Sequence, residues 1–374
     1  MFEINKEQKD IKKAAREFAE GEISEIIEEH DFKELFPRKL WEKACELGFI
    51  GIFIDEEFNG AGMGVLEYVL LLEEFWRIDP GCGNILLSTL GSEFIKEFGN
   101  DEQKHKYLTP LANGESIIGT VIDRDDIFEG FTYREEKGYV IRGSSSFVIN
   151  GDIANYLIVV ARNSSRESDK ENRYASFIID RNWNGVITKP LNDKLGVRAT
   201  NISELILDDV SVPEDNIIGK KDEGLQHINS FFDRMNIYSS AQALGLSQGC
   251  LERSIGYSRQ RVQFGHPIGW FQLIQFKITD MLNRIEALRL LLYKVSLDFD
   301  RRLRNRKSFA MTSALAKDVA MQVVSETMQI HGGYGYMKEM GIERFYRDAQ
   351  FLEIFGYSRE DLKTFVAKEV LGKL

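Results

Sequence analysis

Cysteine and histidine are the residue types that most often hold a metal ion or act as nucleophiles, and both are sparse in this chain. The three cysteines are Cys45, Cys82 and Cys250, an odd number without metal-ligand spacing. A reduced compartment fits this pattern better than a disulfide framework does. The five histidines are scattered, so the sequence shows no ligand set for a catalytic metal.

The charge of the chain narrows the classes of partner. Its 48 basic and 59 acidic residues give a formal net charge of −11, and no long block of lysine or arginine interrupts the acidic background. We therefore expect no nucleic-acid partner. The first ten residues show no targeting leader, and apolar runs such as Val69–Leu72 are too short to cross a bilayer. We expect a cytoplasmic enzyme.

The spacing of apolar residues divides the 374 residues into three parts. It predicts a helical domain over 1–115, a strand-rich domain over 116–222 and a second helical domain over 223–374. The predicted helices are Leu40–Leu47, Leu66–Trp76, Ile85–Phe98, Ser239–Arg261, Trp270–Arg301, Phe309–Ile330 and Arg359–Leu371. The predicted strands are Ser116–Ile122, Tyr139–Ile141, Tyr156–Val160, Ala175–Ile179 and Leu205–Val210.

Several short motifs occur in a characteristic order. They include Lys194-Leu-Gly-Val-Arg198, Arg261-Val-Gln-Phe-Gly265, Gln329-x-x-Gly-Gly-Tyr-Gly-Tyr336 and Tyr346-Arg-Asp-Ala349. Each motif alone is weak, but together they span nearly the whole chain, and in this order the sequence resembles the acyl-CoA dehydrogenase family. The resemblance implies an α+β fold with an N-terminal helical domain, a middle β-barrel domain and a C-terminal helical bundle.

The resemblance also implies an FAD site, with residues contributed across a subunit boundary of a homotetramer or homodimer. Arg261 would supply a planar donor fork for a diphosphate, and Gly332 and Gly333 would let the backbone approach it closely. An arginine at such a position is commonly a surface residue, and a glycine pair after a helix is commonly only its C-cap. These residues favour a flavin site only because they occur together, in the order and spacing of the family. The other residues that match the flavin contacts of the family are Phe147, Ile149, Phe264, Gln272, Gln329 and Ser358.

The glutamate that starts the chemistry in this family is missing. Family members remove the substrate α-proton with a glutamate shortly after the Arg-Asp-Ala motif, and a gap-free alignment places Gly356 there. A minority carries the glutamate on a helix of the last domain, where this chain has Met235. The arginine that follows it, which helps to hold coenzyme A in the family, is replaced by Asn236.

The strand-rich domain departs from the family as well. The loop that touches flavin and thioester is shorter here and reads Asp123-Arg-Asp-Asp-Ile127. The Trp-Ile-Thr strand that walls the flavin aligns with Phe147-Val148-Ile149, which retains an aromatic side chain but loses a hydroxyl. We therefore expect altered contacts to the thioester on this side.

Another group must handle the proton if the chain is a dehydrogenase. The candidates are Asp79, Asp233, the acidic Asp123–Asp126 loop and Tyr357, which at its ordinary pKa is a better donor than base. Each has a structural alternative: turn chemistry for Asp79, a solvated or coenzyme-contacting carboxylate for Asp233, and a core aromatic for Tyr357. Gly356 would still offer a backbone N–H that could polarise the thioester carbonyl.

Three functions stay open. The first is α,β-dehydrogenation, or the reverse reduction, of an acyl thioester of coenzyme A or of a carrier protein, with an electron-transferring flavoprotein as redox partner. The second is a non-catalytic partner subunit beside a sister chain that carries the glutamate. The third is a flavin monooxygenase on the same fold, ranked last because the flavin-facing residues are retained. Asp233, Asn236 and Gly356 are the expected substrate contacts.

Overall fold

The N-terminal part of the computed structural model is helical, and the structure describes residues 4–122, 124–165 and 173–372. Helix α4 is buried along nearly its whole length and forms the centre of this domain. The helices are α1 (Lys6–Phe18), α2 (Ile27–Lys33), α3 (Arg38–Glu46), α4 (Val65–Ile78), α5 (Pro80–Gly83), α6 (Ser92–Phe98) and α7 (Asp101–Ala112), with a π-helical turn at Ala19–Ile23 and 3-10 turns at Glu56–Phe58 and Asn84–Thr89.

The single helix expected over Ile85–Phe98 is wrong. The 3-10 turn Asn84–Thr89 and helix α6 replace it, and Gly91 between them has φ +103°. Glycine adopts this backbone conformation without strain, whereas a Cβ at Gly91 would come within 3.1 Å of Thr120. The glycine therefore breaks the helix where it meets the sheet.

The middle domain is one eight-stranded sheet in the order β6-β7-β3-β1-β4-β5-β8, with β2 beside β3 and β4. Strands β1 and β2 both run antiparallel to β3 and parallel to β4, so they fill one place in the sheet as an interrupted strand. Helix α8 (Arg124–Glu129) lies in the interruption. The strands are β1 (Ile118–Val121), β2 (Phe131–Glu136), β3 (Gly138–Ile149), β4 (Tyr156–Asn163), β5 (Tyr174–Asp180), β6 (Val186–Pro190), β7 (Ile202–Val212) and β8 (Ile217–Ile218).

Three strands of this sheet, β2, β6 and β8, were not predicted. Strand β6 has no buried residue, β2 is buried only at Phe131 and Tyr133, and β8 has only two residues, so none shows a sustained apolar alternation. The acidic loop predicted over 123–127 is also wrong from Arg124 onward, because Arg124–Glu129 is helix α8. Asp123, at its start, lies outside the described residues. The interruption places Arg124 beside the C-terminal domain, with its guanidinium 5.5 Å from the ring of Tyr357.

The C-terminal domain consists of long helices packed on one another and on α4. Helix α9 begins much earlier than predicted, whereas the last helix has the predicted bounds. The elements are α9 (Gly224–Gln260), a hairpin of β9 (Val262–Gln263) and β10 (His266–Pro267), α10 (Gln272–Asp300), α11 (Arg306–His331), α12 (Gly333–Tyr336), α13 (Ile342–Ala349), α14 (Phe351–Ile354) and α15 (Arg359–Leu371).

Buried ionic contacts join the first and last domains. Glu73 of α4 accepts hydrogen bonds from Lys12 of α1 at 2.7 Å and from Tyr293 of α10 at 2.5 Å, and it also pairs with Arg289. Burial of a lone carboxylate would be costly, and these partners offset that cost. The expected domain boundaries fall between α7 and β1 and between β8 and α9.

Within the described ranges, no helix is long and apolar enough to cross a membrane. In the same part of the chain, no group of three or more histidine, cysteine, aspartate or glutamate side chains could hold a metal ion.

Candidate functional site

The ends of α9 and α11 line an open cavity of about 420 Å³, which we call the arginine–glycine cavity. Arg261, Gly332 and Gly333 all line it, as the flavin motif requires. Gly332 ends α11 with φ +57°, and a Cβ added to either glycine would meet no other atom within 4 Å. The cavity thus combines a cation with two bare stretches of backbone, and these residues fit the diphosphate of FAD.

Three other expected flavin residues lie on the surface of the chain. Phe264, in the β9–β10 hairpin, is 91% exposed, and Gln272 and Gln329 are exposed near the ends of α10 and α11. A side chain as apolar as Phe264 is unusual at such exposure. No other residue in the described part of the chain encloses these three side chains.

The remaining flavin candidates are already engaged within the fold. Ile149 is fully buried where β3 pairs with β1 and β7, and Phe147 is half-buried against the core. Ser358 caps α15, because its hydroxyl accepts from the Asp361 N–H at 3.1 Å and donates to the Asp361 carboxylate at 2.8 Å. The flavin roles of all three residues stay predictions.

The two positions at which the family carries its glutamate lie side by side. Gly356, between α14 and α15, is buried with φ +82°, and a Cβ there would lie 3.5 Å from Cε of Met235. The N–H of Gly356 donates to the carbonyl of Ile122 at 3.3 Å. In this conformation the N–H expected to polarise a thioester carbonyl is therefore already paired.

Lys317 of α11 holds the segment that contains Gly356. Its buried ammonium donates to the carbonyls of Leu352 and, at 2.8 Å, Tyr357, on either side of the glycine. Burial lowers the pKa of Lys317 to about 8. Sequence reasoning missed this residue, although a lysine within the apolar stretch Ala314-Leu-Ala-Lys317 was a usable signal.

A second cavity, of about 250 Å³, is called here the Asp233 pocket. It brings together three of the predicted residues, since Asp233, Asn236 and Tyr357 all line it. Asn236 and Tyr357 directly follow Met235 and Gly356, so the pocket lies beside the two empty glutamate positions. The other lining residues are Arg124, Arg306, Ala310, Asp361, Leu362, Thr364, Phe365 and Lys368.

Burial dominates the electrostatics of this pocket. It raises the pKa of Asp233, although Arg306 donates to the carboxylate at 3.1 Å and opposes the shift. Burial also raises the pKa of Tyr357, whose ring lies 4.5 Å from that of Phe232 and 5.5 Å from the guanidinium of Arg124. The pocket therefore holds a carboxyl that protonates at higher pH than usual and a phenol that stays protonated.

Asp79 is not among the residues that line this pocket. Its carboxylate caps α5 by accepting from the N–H of Cys82 at 2.8 Å, and it pairs with Arg344 at 3.0 Å. These contacts agree with the structural alternative given for Asp79, a local role in the turn before α5 rather than proton transfer. Of the acidic segment after β1, Asp125 is exposed and pairs with Arg124 at 3.2 Å.

The helix–sheet–helix fold and the arginine–glycine cavity define a flavin-dependent oxidoreductase of the acyl-CoA dehydrogenase type. Three family models match: the N-terminal domain of acyl-CoA dehydrogenase over residues 5–115, the middle domain over 127–210 and the C-terminal domain over 222–371. The chain belongs to the acyl-CoA dehydrogenase family. The predicted family, fold class and enzyme class are confirmed.

Relatives in sequence and structure agree. The chain is 33% identical over 377 residues to an acyl-CoA dehydrogenase of Bacillus subtilis, with 99% of each chain covered. It is 30% identical over 362 residues to the caffeyl-CoA reductase-Etf complex subunit CarC of Acetobacterium woodii, with 94% of this chain and 95% of the relative covered. The structure of butyryl-CoA dehydrogenase from Megasphaera elsdenii superposes with a TM-score of 0.93 at 31% identity and covers both chains completely.

Proposed function

We propose that the protein catalyses the FAD-dependent α,β-dehydrogenation of an acyl thioester, or the reverse reduction, and that a residue other than the family glutamate handles the proton. One observation carries the proposal: in a chain of this family, Arg261, Gly332 and Gly333 line a single open cavity. Bound FAD would supply the chemistry of hydride exchange with the β-carbon.

The Asp233 pocket supports the second part of the proposal. Asp233, with its raised pKa, would act as the base in dehydrogenation, because a base works best when its pKa lies near the working pH. Tyr357 keeps its proton and would serve as the donor in reduction. The capping role of Asp79 removes it from this pair.

A second copy of the chain would complete the flavin site. Phe264, Gln272 and Gln329 are exposed in the single chain, and apolar residues on the surface of α10, including Leu273 and Phe276, are exposed as well. Contiguous exposed apolar residues mark an association surface. We take the partner to be an identical subunit, in a homodimer or homotetramer.

An electron-transferring flavoprotein is the proposed redox partner, since the relative from Acetobacterium woodii is named as part of an Etf complex. The name of that relative also leaves reduction open as the physiological direction. The cytoplasmic location stays a prediction from the sequence.

The test uses the visible absorption spectrum of the purified protein, followed by anaerobic addition of saturated acyl-CoA thioesters of increasing chain length. We expect bound flavin that is bleached by at least one thioester. For the reverse direction, the chemically reduced protein should reoxidise with the matching enoyl-CoA. Flavin that responds to none of these ligands in either direction would contradict the proposal.

The alternative of a non-catalytic partner subunit is favoured by one observation. Gly356 and Met235 lie side by side, with Cε of Met235 3.5 Å from where a Cβ of Gly356 would be, and neither residue carries a carboxylate. This alternative predicts that the isolated chain is inert or colourless, and that adding a sister chain bearing the glutamate restores both flavin and turnover. Bleaching of the isolated protein by a thioester would exclude it.

A further inference from the structure

Helix α8, which interrupts the sheet, places an arginine among aromatic side chains. The guanidinium of Arg124 lies 5.7 Å from the centre of the Phe128 ring and 5.5 Å from that of the Tyr357 ring. The ring of Phe232 lies 4.5 Å from that of Tyr357 and stacks on Phe128 at 6.3 Å. A cation is attracted to the negative face of an aromatic ring, and more strongly where water is displaced. Arg124 is thus held between the middle and last domains.

The donors of Arg124 are only partly used within the fold. One terminal nitrogen donates to Asp125 at 3.2 Å, and that carboxylate is exposed to solvent. The Nε of Arg124 is buried and, among the described residues, has no hydrogen-bond partner. An unpaired buried N–H is costly in a folded protein and calls for an explanation. A negative charge that forms beside Arg124 during the reaction would supply the missing acceptor.

Tyr357 is the group that would acquire this charge. When an enoyl thioester is reduced, its α-carbon takes the phenol proton of Tyr357 as its β-carbon takes the hydride from reduced FAD. The O–H bond breaks and its electron pair stays on the oxygen, so Tyr357 becomes a phenolate until solvent returns the proton. Tyr357 is half-buried, and a charge in such surroundings is costly unless a group of opposite charge pairs with it.

The other charged groups around Tyr357 come from α9, α11 and α15. Asp233 and Arg306 bond to each other at 3.1 Å, so their charges largely offset each other at the phenol. Lys317 donates to the carbonyl of Tyr357 at 2.8 Å and thus acts on the main chain. Burial raises the pKa of Tyr357, whereas Arg306 and Arg124 favour its charged form. The charged groups of α15 that line the pocket are Asp361 and Lys368.

We propose that Arg124 is a further catalytic residue, which stabilises the phenolate that Tyr357 forms when it protonates the substrate. This inference rests on the proposed function, because it takes Tyr357 as the proton donor in reduction. Stabilising a charge that forms only during the reaction lowers the barrier without tightening the binding of the substrate. Arg124 belongs to the segment after β1 that departs from the family pattern, so this departure also supplies the new charge.

The first measurement is the ionisation of Tyr357, which needs no turnover. Protein labelled with 3-fluorotyrosine is titrated by ¹⁹F NMR, and the resonance missing from Tyr357→Phe assigns this residue among the 13 tyrosines. Arg124→Met removes the cation but keeps an apolar stem against Phe128, and it should move the titration up by about one pH unit. Arg124→Lys keeps the charge and should restore much of the original value. An unchanged titration in Arg124→Met would overturn the inference.

The second measurement is the rate at which enoyl-CoA reoxidises the chemically reduced, flavin-loaded protein. We expect Arg124→Met to lower the limiting rate by about tenfold to a hundredfold, as loss of a hydrogen bond to a charged group does. The half-saturating concentration of enoyl-CoA should stay unchanged. In a Tyr357→Phe background the same change should have little further effect, because no phenolate forms there. Equal losses in both backgrounds contradict the inference, since Arg124 would then act independently of Tyr357.

Arg38→Met is the matched control, because Arg38 lies 4.9 Å from the Trp41 ring in the first domain. It should change neither the fluorotyrosine titration nor the rate. If the unmodified protein is reoxidised and Arg124→Met matches it in both measurements, the proposed function stands and this inference fails. If no enoyl-CoA reoxidises the unmodified protein, the proposed reduction fails, whereas a titration that moves in Arg124→Met still supports the pairing of Arg124 with the phenol.

Discussion

The arginine–glycine cavity and the Asp233 pocket differ in what they keep of the family pattern. The first retains Arg261, Gly332 and Gly333 together in one cavity. The second lies beside Gly356 and Met235, where no carboxylate remains, and is lined instead by Asp233 and Tyr357. The residues expected to bind the flavin diphosphate are thus retained, whereas both positions of the family glutamate lack a carboxylate.

The physical demands of the two regions explain the difference. A diphosphate site depends on backbone conformation and a fixed cation, and few residue types can replace a glycine at positive φ. A proton can be moved by any group of suitable pKa within hydrogen-bond reach, so several side chains around one substrate atom can serve. A base can therefore move without the loss of the fold.

The largest effect should come from filling the arginine–glycine cavity. A leucine in place of Gly333 meets no protein atom near its Cβ but projects into the space that a diphosphate needs. We expect the Gly333→Leu protein to fold with unchanged helicity and to lose its flavin, measured as absorbance at 450 nm per protein chain.

The control for this change is Gly21→Leu, because a Cβ at Gly21 is equally unobstructed but lies in the first domain. Its flavin content should match that of the unmodified protein. If the Gly333→Leu protein keeps its flavin, the arginine–glycine cavity is not part of the cofactor site.

The next largest effect should come from restoring a carboxylate to the second region. Met235→Glu places one on α9 without backbone strain, and in an Asp233→Asn background, where the proposed base is removed, we expect it to accelerate anaerobic flavin reduction by acyl-CoA by about 10²–10⁴-fold. Gly356→Glu should gain less, since a side chain at φ +82° costs about 1–3 kcal/mol. Stopped-flow absorbance measures both rates.

A faster rate in Gly356→Glu than in Met235→Glu would contradict the strain argument. If neither variant reacts while both retain flavin, the region lacks more than a base, and the partner-subunit alternative gains support.

A smaller effect is expected at Asp233. If this carboxylate is the base, Asp233→Asn should slow flavin reduction by about 10²-fold. The pKa of Asp233 is raised, so the unmodified protein should lose activity on acidification at a higher pH than an ordinary aspartate would dictate. Rates measured from pH 5 to pH 9 test this. The fall in rate at low pH, called here the acid limb, should be absent in the variant.

Tyr357→Phe is the matched change in the same pocket and should keep the acid limb, because it leaves the carboxylate in place. If the rate of Asp233→Asn still falls at low pH, the group that titrates in this range is not Asp233.

The smallest effect concerns stability around the empty glutamate position. Lys317→Met leaves two buried carbonyls without their donor, at a cost of about 1–3 kcal/mol. Lys317 has a pKa of about 8 in the folded protein, below its ordinary value of 10.5. Between these values the unfolded chain binds more protons, so the contribution of Lys317 to stability should rise with pH.

Urea unfolding of the Lys317→Met and unmodified proteins at pH 7 and pH 10 isolates this contribution as the difference between the two chains. The stability advantage of the unmodified protein should be larger at pH 10. A difference that does not change with pH would place the pKa of Lys317 near its ordinary value.

The family, the α+β layout and the flavin motifs could be predicted from the sequence. Each rests on local signals, such as apolar periodicity, glycine pairs and ordered motifs, which survive without knowledge of distant contacts. The last helix, Arg359–Leu371, has the predicted bounds because Ser358 and the acidic first turn cap it locally. The broken helix at Gly91 and the interrupted strand around α8 could not be predicted, since contacts with other elements decide them.

The sequence by itself determined which residues could bind flavin and that both glutamate positions are empty. Only the tertiary structure decided that these two positions lie side by side, that Asp233 and Tyr357 line the pocket beside them, and that Asp79 caps a helix. The sequence gives the type of each residue directly. The pKa and the reach of a side chain depend instead on burial and on neighbours that the fold brings together.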